Sequence, residues 1–243
     1  MVQRFICKTC GKCCSILKFS EVALTSKGPM YGYHGSEVKS GLPLFEWEVQ
    51  SITEEAQKLG ISINIEPQIM YIDVMSQRKI ITLWIMLEKS CPFLKENKCV
   101  IYNKRPWACE AYPILNTPFV VSAVALNVDT NCPAVTENIF IPPKQMTRLE
   151  AIKLVYEVFG NTLNGVIKME TALANYVRIF ITLEKTGQVN WMQDYEQDTV
   201  VKITEQWPCI GVSKFLKENN VDINLKHEVK KYVNSLIKKS TEV

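Results

Sequence analysis

Apolar residues recur at spacings of four and three across Leu44–Leu59, where Phe45, Val49, Ile52, Ala56 and Leu59 form one stripe. That period predicts a helix with one buried face. Gly60 follows as its stop, because glycine takes the left-handed conformation without penalty. Glu46, Glu48, Glu54 and Glu55 fall mostly off the stripe and are expected in solvent. The pattern then changes. Ser62–Ile65, Ile69–Val74 and Lys79–Met86 are short and rich in β-branched residues, which predicts strands, and Ser76-Gln77 predicts a hairpin turn between the last two. Lys95-Glu96-Asn97-Lys98 is a second polar turn between short extended pieces, and Phe119–Val128 is a further strand candidate.

Later in the chain the period is helical throughout. Thr147-Arg148-Leu149-Glu150 fits a capping box, and Leu149, Ile152, Val155, Tyr156 and Phe159 make a stripe that Gly160 stops. Asn164–Glu184 carries Ile167, Leu173, Tyr176, Val177, Phe180 and Leu183 on its predicted inner side and ends at Gly187. Asp198–Asn219 reads as helical with an interruption near Pro208 and Gly211. Leu225, Val229, Tyr232, Val233, Leu236 and Ile237 mark a final amphipathic helix. The expected fold class is α+β: a small cysteine-rich module with short strands, followed by an α-helical C-terminal region. Pro142-Pro143 within Ile139–Lys144 places the expected boundary, giving domains 1–142 and 143–243. Thr25–Gly41, with Gly28, Gly32, Gly35 and Gly41, reads as a loop, and His34 within it as a solvent-facing residue.

The 243 residues are 47% hydrophobic and 22% charged, ordinary for a globular chain. A net charge of +3 carries no nucleic-acid signal. The apolar runs Ile80–Leu87 and Pro118–Leu126 fall far short of the roughly 18–20 residues of a membrane span. Met1–Cys7 lacks the apolar stretch of a signal peptide, so a cytoplasmic location is expected. Lys226, Lys230, Lys231, Lys238 and Lys239 read as a solvated face near a helix C-terminus, with contact to an acidic protein partner as the other reading.

Cysteine changes this picture. The chain has nine, four of them in Cys7-Lys-Thr-Cys10-Gly-Lys-Cys13-Cys14. Thiols at this density serve metal ligation, disulfide stapling or redox chemistry. In a reducing cytosol, metal ligation comes first. Cys91, Cys99, Cys109 and Cys132 supply four more thiols, while Cys209, alone among apolar neighbours, is expected to be a small buried hydrophobe. Eight thiolates match two four-thiolate sites, or one cluster plus one mononuclear ion, and thiolates suit zinc, Cu(I) and iron–sulfur centres. Adjacent Cys13 and Cys14 tend to point apart. They are therefore expected to serve different metals, or one of them to be reactive. The spacing does not fit bacterial ferredoxins, whose fourth cysteine comes three residues after the third and precedes proline. No phosphate loop, GxSxG or HExxH motif is present, and the only histidines are His34 and His227.

Cys7-x-x-Cys10-Gly-x-Cys13-Cys14, Cys91-Pro-Phe-Leu, Cys99-x-Ile-Tyr, Arg105-Pro-x-x-Cys109 and Tyr112-Pro113 together resemble the YkgJ-like cysteine-cluster proteins, described as a zinc- or iron-chelating domain. The resemblance covers about residues 5–135 and implies ligand roles for Cys7, Cys10, Cys13, Cys14, Cys91, Cys99 and Cys109, with Cys132 a looser match. It departs at Glu110, where the family usually has Arg. Glu110 is expected to make the site more negative, with Arg105, Lys8 or Lys12 as compensating cations. The function this implies is a metal-binding protein holding zinc or iron, in the iron case including an iron–sulfur cluster. The flagellin lysine methylases look similar in these motifs. The alternative they imply is an iron–sulfur protein lysine methyltransferase using S-adenosylmethionine, so whether the chain is an enzyme stays open.

Overall fold

The computed structural model describes residues 5–15, 29–32, 41–88, 90–116, 127–129, 131–135, 153 and 156–241. The loop with His34, most of the Phe119–Val128 strand, the Pro142-Pro143 boundary and the Thr147–Glu150 box lie outside them. In chain order the elements are α1 (Lys12–Ser15), β1 (Met30–Gly32), β2 (Leu42–Leu44), α2 (Glu46–Lys58), β3 (Ile65–Asp73), β4 (Arg78–Met86), β5 (Leu94–Lys95) and β6 (Lys98–Cys99). A 3₁₀ turn at Tyr102–Lys104 follows, then α3 (Trp107–Ala111), β7 (Ile114–Asn116), β8 (Asn127–Val128), α4 (Thr162–Lys185), α5 (Gln197–Ile203), β9 (Cys209–Gly211), α6 (Val212–Glu218) and α7 (Leu225–Thr241). The fold is α+β, as the sequence implies. The chain forms two compact units: Met1–Ile16 with Phe93–Ala172 and Leu225–Val243, and Leu17–Pro92 with Leu173–Asn224.

The second unit is built on the predicted hairpin. β3 and β4 pair antiparallel along their length, and Asp73 holds the turn: its carboxylate accepts the Met75 and Ser76 amides at 3.2 and 3.3 Å, the Ser76 hydroxyl, and the Asn190 amide at 2.9 Å. These donors offset the cost of burying a carboxylate that is 1% exposed. β1 pairs with β3, and β2 and β9 both pair with β4, at its two ends. Three expectations change here. Met30–Gly32, expected within a loop, is strand β1 because it pairs with β3. Ser62–Ile65 is not a strand, apart from Ile65, which begins β3. The interruption expected near Pro208 is itself a strand, β9, parallel to β4. Three residues show no period, so only their partner's free edge defines them.

The aromatic core of this unit runs from Tyr71 to Phe180 (ring centroids 4.6 Å apart), on to Trp191 (4.8 Å) and on to Phe215 (5.8 Å). The Trp191 indole donates to the Phe180 carbonyl at 3.1 Å, which satisfies its one polar atom. α2 buries Ile52 and Ala56, with Phe45 just before it, but Leu59 of the same expected stripe is exposed at 38%; Gly60 follows with φ +64°. Glu48 departs from expectation: it is buried, because its carboxylate accepts the Phe45 amide at 3.0 Å in the first turn of the helix. Glu46 likewise accepts the Ser213 amide at 2.7 Å. Leu173 and Val177, expected inside, are exposed at 40% and 41%, and the buried face runs instead through Ala172, Tyr176, Phe180 and Leu183. Cys209 is exposed rather than buried, since it lies in β9 and not in a helix.

Candidate metal centre

The first unit holds Cys7, Cys10, Cys13, Cys14, Cys99, Cys109 and Cys132, while Cys91 falls in the second, two residues before the division. None of the nine cysteines is in a disulfide. Backbone geometry brings the N-terminal stretch to the β5–β6 hairpin. Thr9 and Gly11 have φ of +49° and +70°. At Gly11 a Cβ would stand 2.7 Å from Leu94 Cδ1 and 3.3 Å from the Asn97 carbonyl, so the position needs both positive φ and no side chain. The polar turn forms as the sequence implies, with Glu96 and Asn97 at φ +48° and +60°, the positive pair a two-residue hairpin loop requires. Leu94 pairs with Cys99 across it.

Cys109 arrives on α3, which packs on α4 at Gly165. A Cβ there would meet the Ala111 amide nitrogen at 2.4 Å and the Trp107 carbonyl at 2.6 Å. Cys132 follows a turn built on Asp129, whose carboxylate accepts the Tyr112 hydroxyl at 2.8 Å and the Asn131 amide at 2.9 Å, while the Cys132 amide donates to the Asp129 carbonyl at 3.1 Å.

Three sulfurs share one local device. The Thr9 amide donates to Cys7 at 3.4 Å, and main-chain amides at Ile101 for Cys99, and at Ala134 and Val135 for Cys132, act to lower those thiols against the rise that burial causes. Spacing of thiols could not reveal these donors, because they are main-chain atoms aimed by the turns. A neutral thiol gains little from an N–H donor, whereas a thiolate or metal-bound sulfur gains a charge-assisted hydrogen bond.

The thiols fall into two electrostatic neighbourhoods. Burial, then Cys14, Cys13 and Cys99, pushes the Cys109 thiol well up, and Arg105 opposes this. Burial also raises Cys99, again opposed by Arg105. Contact with Cys14 and then burial hold Cys13 far above its ordinary value. Arg105 is therefore the cation that faces Cys13, Cys99 and Cys109. Its guanidinium lies 3.7 Å from the Tyr102 ring centroid, and its Nε donates to the Tyr102 carbonyl at 3.1 Å. Cys132, raised chiefly by burial, has Cys7 and Cys10 as its charged neighbours.

Cys13 and Cys14 do not point apart. Their sulfurs are 3.8 Å apart, because successive residues of the α1 turn diverge by only about 100°. That separation matches two thiolates about 2.3 Å from one tetrahedral ion, whose sulfurs stand roughly 3.8 Å apart. Among the described residues, no group of three or more His, Cys, Asp or Glu side chains is arranged to hold a metal ion as it stands. The donor set thus fits a thiophilic metal in chemistry and in one pair's spacing.

Glu110 is compensated from a place the sequence reading missed. Lys168 of α4 donates to its carboxylate at 2.5 Å, with the ammonium 5.8 Å from the Trp107 ring centroid. The pair is 58 residues apart in sequence and rests on the Gly165 contact, so nothing local signals it.

The family described as CxxCxxCC, putative zinc- or iron-chelating domain, matches residues 6–133. The match spans more than half of the chain, and the protein belongs to this family. No curated protein and no solved structure matches the chain.

Proposed function

We propose that this protein binds zinc or iron through cysteine thiolates, in two neighbouring sets. Cys13, Cys14, Cys99 and Cys109 form the set that Arg105 faces; Cys7, Cys10 and Cys132 form the other. For Cys91 the ligand role is the one the family pattern implies. The metal supplies a multiply charged centre that turns these thiols into thiolates; the chain supplies the N–H donors and Arg105 to hold the resulting negative charge. The observation that carries the reading is the 3.8 Å separation of the Cys13 and Cys14 sulfurs, the spacing of two thiolates on one tetrahedral ion.

The test is elemental analysis and an optical spectrum on protein purified without oxygen, repeated on the paired variants C99A/C109A and C7A/C132A. Zinc in a colourless protein, or iron with sulfide-to-iron charge-transfer bands, supports the reading. Each paired variant is expected to lose its own set's metal and keep the other's. Absence of both metals from the wild-type chain overturns it.

A further inference from the structure

The first unit contains an open cavity of 540 Å³ whose lining includes Cys7, Arg105, Glu110, Thr162, Asn164 and Lys168. Its volume is in the range of small-molecule sites. The wall carries two cations and one carboxylate besides Cys7, whose thiolate charge a bound metal ion would balance. The start of α4, at Gly160-Asn161-Thr162, adds the positive end of a 24-residue helix. Asn164 contributes an amide whose Oδ1 is buried without a hydrogen-bond partner. Rotating that amide plane offers either a donor or an acceptor.

We propose that this cavity binds a small phosphate- or carboxylate-bearing anion beside the thiolate centre, with Lys168 as its main contact and Glu110 as the internal competitor for Lys168. The proposal goes beyond metal binding and rests on the cavity, not on which metal is bound. In the unliganded chain Glu110 occupies the Lys168 ammonium. An arriving anion shares or takes that ammonium, and the Glu110 carboxylate repels it. Removing either partner of this ion pair therefore changes anion affinity in opposite directions. A pair that only braced α3 against α4 would give changes of the same sign.

The test uses the isotope-labelled full chain with its metal, titrated separately with inorganic phosphate, succinate and spermidine while the Gly160, Asn161 and Thr162 amide resonances are followed. Saturable shifts from phosphate mark a phosphate-bearing ligand and shifts from succinate a carboxylate-bearing one; either supports the site. K168Q is expected to weaken binding about tenfold, the size of one charge-assisted hydrogen bond. K168R is expected to retain it, and E110Q to tighten it. The proposal is overturned by shifts from spermidine alone, by no saturable shift from any probe, or by K168Q and E110Q moving affinity the same way. Metal content is measured on the same samples. Metal loss with anion binding intact counts against the metal reading and leaves this one standing.

Discussion

In the second unit, two nine-residue strands pair along their length, and the ring series Tyr71, Phe180, Trp191 and Phe215 fills the core. In the first unit, the cysteine-bearing segments form a two-residue strand, helical turns of four and five residues and backbone at positive φ. Apolar burial there lies in α4 and α7 and the segment before them, at Phe159, Leu163, Val166, Ile167, Val229 and Val233, and in the cysteine segments at Phe93, Ile101, Trp107, Ala108, Ala111 and Ile114. The cysteine segments also gather thiols that would repel one another as thiolates. Hydrophobic burial suffices to hold a nine-residue hairpin against a helix. Two-residue strands have little pairing of their own, and the proposed metal would add cohesion there.

The largest expected effect tests that contrast directly. Chelating the metal should lower hydrogen-exchange protection of residues 7–14 and 93–116 by roughly 100-fold or more, since structural metal binding is folding free energy. β3 and β4 should keep theirs. Equal loss in both regions would remove the contrast.

Trp191→Ala should do the reverse. It removes a core ring and its hydrogen bond, costing about 3–5 kcal/mol by denaturant titration, with metal content unchanged. Arg105→Gln comes next. Loss of the cation facing Cys13, Cys99 and Cys109 should weaken metal affinity about 10–100-fold, the usual cost of losing an outer partner, measured by competition with a chelator. Gly11→Ala should cost the metal-loaded chain about 1–2 kcal/mol, because a Cβ is strained at φ +70° and meets Leu94.

The smallest effect concerns pH. Cys13, Cys99, Cys109 and Cys132 are all raised above the ordinary thiol value of 9.0, so the folded metal-free chain holds these protons more tightly than the unfolded chain. Its stability is therefore full below pH 9.0 and falls as pH rises through the folded values. Metal uptake must displace the same protons, so metal affinity has the opposite sign and rises with pH. A melting temperature of the metal-free chain that rises above pH 9.0 would contradict this.

What is legible in the chain depends on the length of each pattern rather than on the unit that holds it. The β3–β4 hairpin, α2, α4 and α7 carry periods long enough to read, and the Glu96-Asn97 turn carries its own chemistry. β9 and the bound state of Glu48 do not, since each depends on a partner elsewhere in the structure or on a main-chain amide. On α4 the expected stripe holds at Ile167, Tyr176, Phe180 and Leu183, while Leu173 and Val177 lie one residue to the side of the buried Ala172 and Tyr176. In the site, the thiols were visible as residue types and spacings. The amides serving Cys7, Cys99 and Cys132 were not, because any sequence can supply an amide and only the turn aims it. The compensation of Glu110 by Lys168 was hidden for a third reason: it depends on Gly165 letting α3 lie on α4.

The most direct test of the central claim counts thiols. Anaerobically purified protein is alkylated before and after chelation, with metal measured in parallel. With zinc or iron bound, labelling should be confined to Cys209, and all nine cysteines should label once the metal is removed. Fewer than four protected thiols at full metal loading would contradict the account.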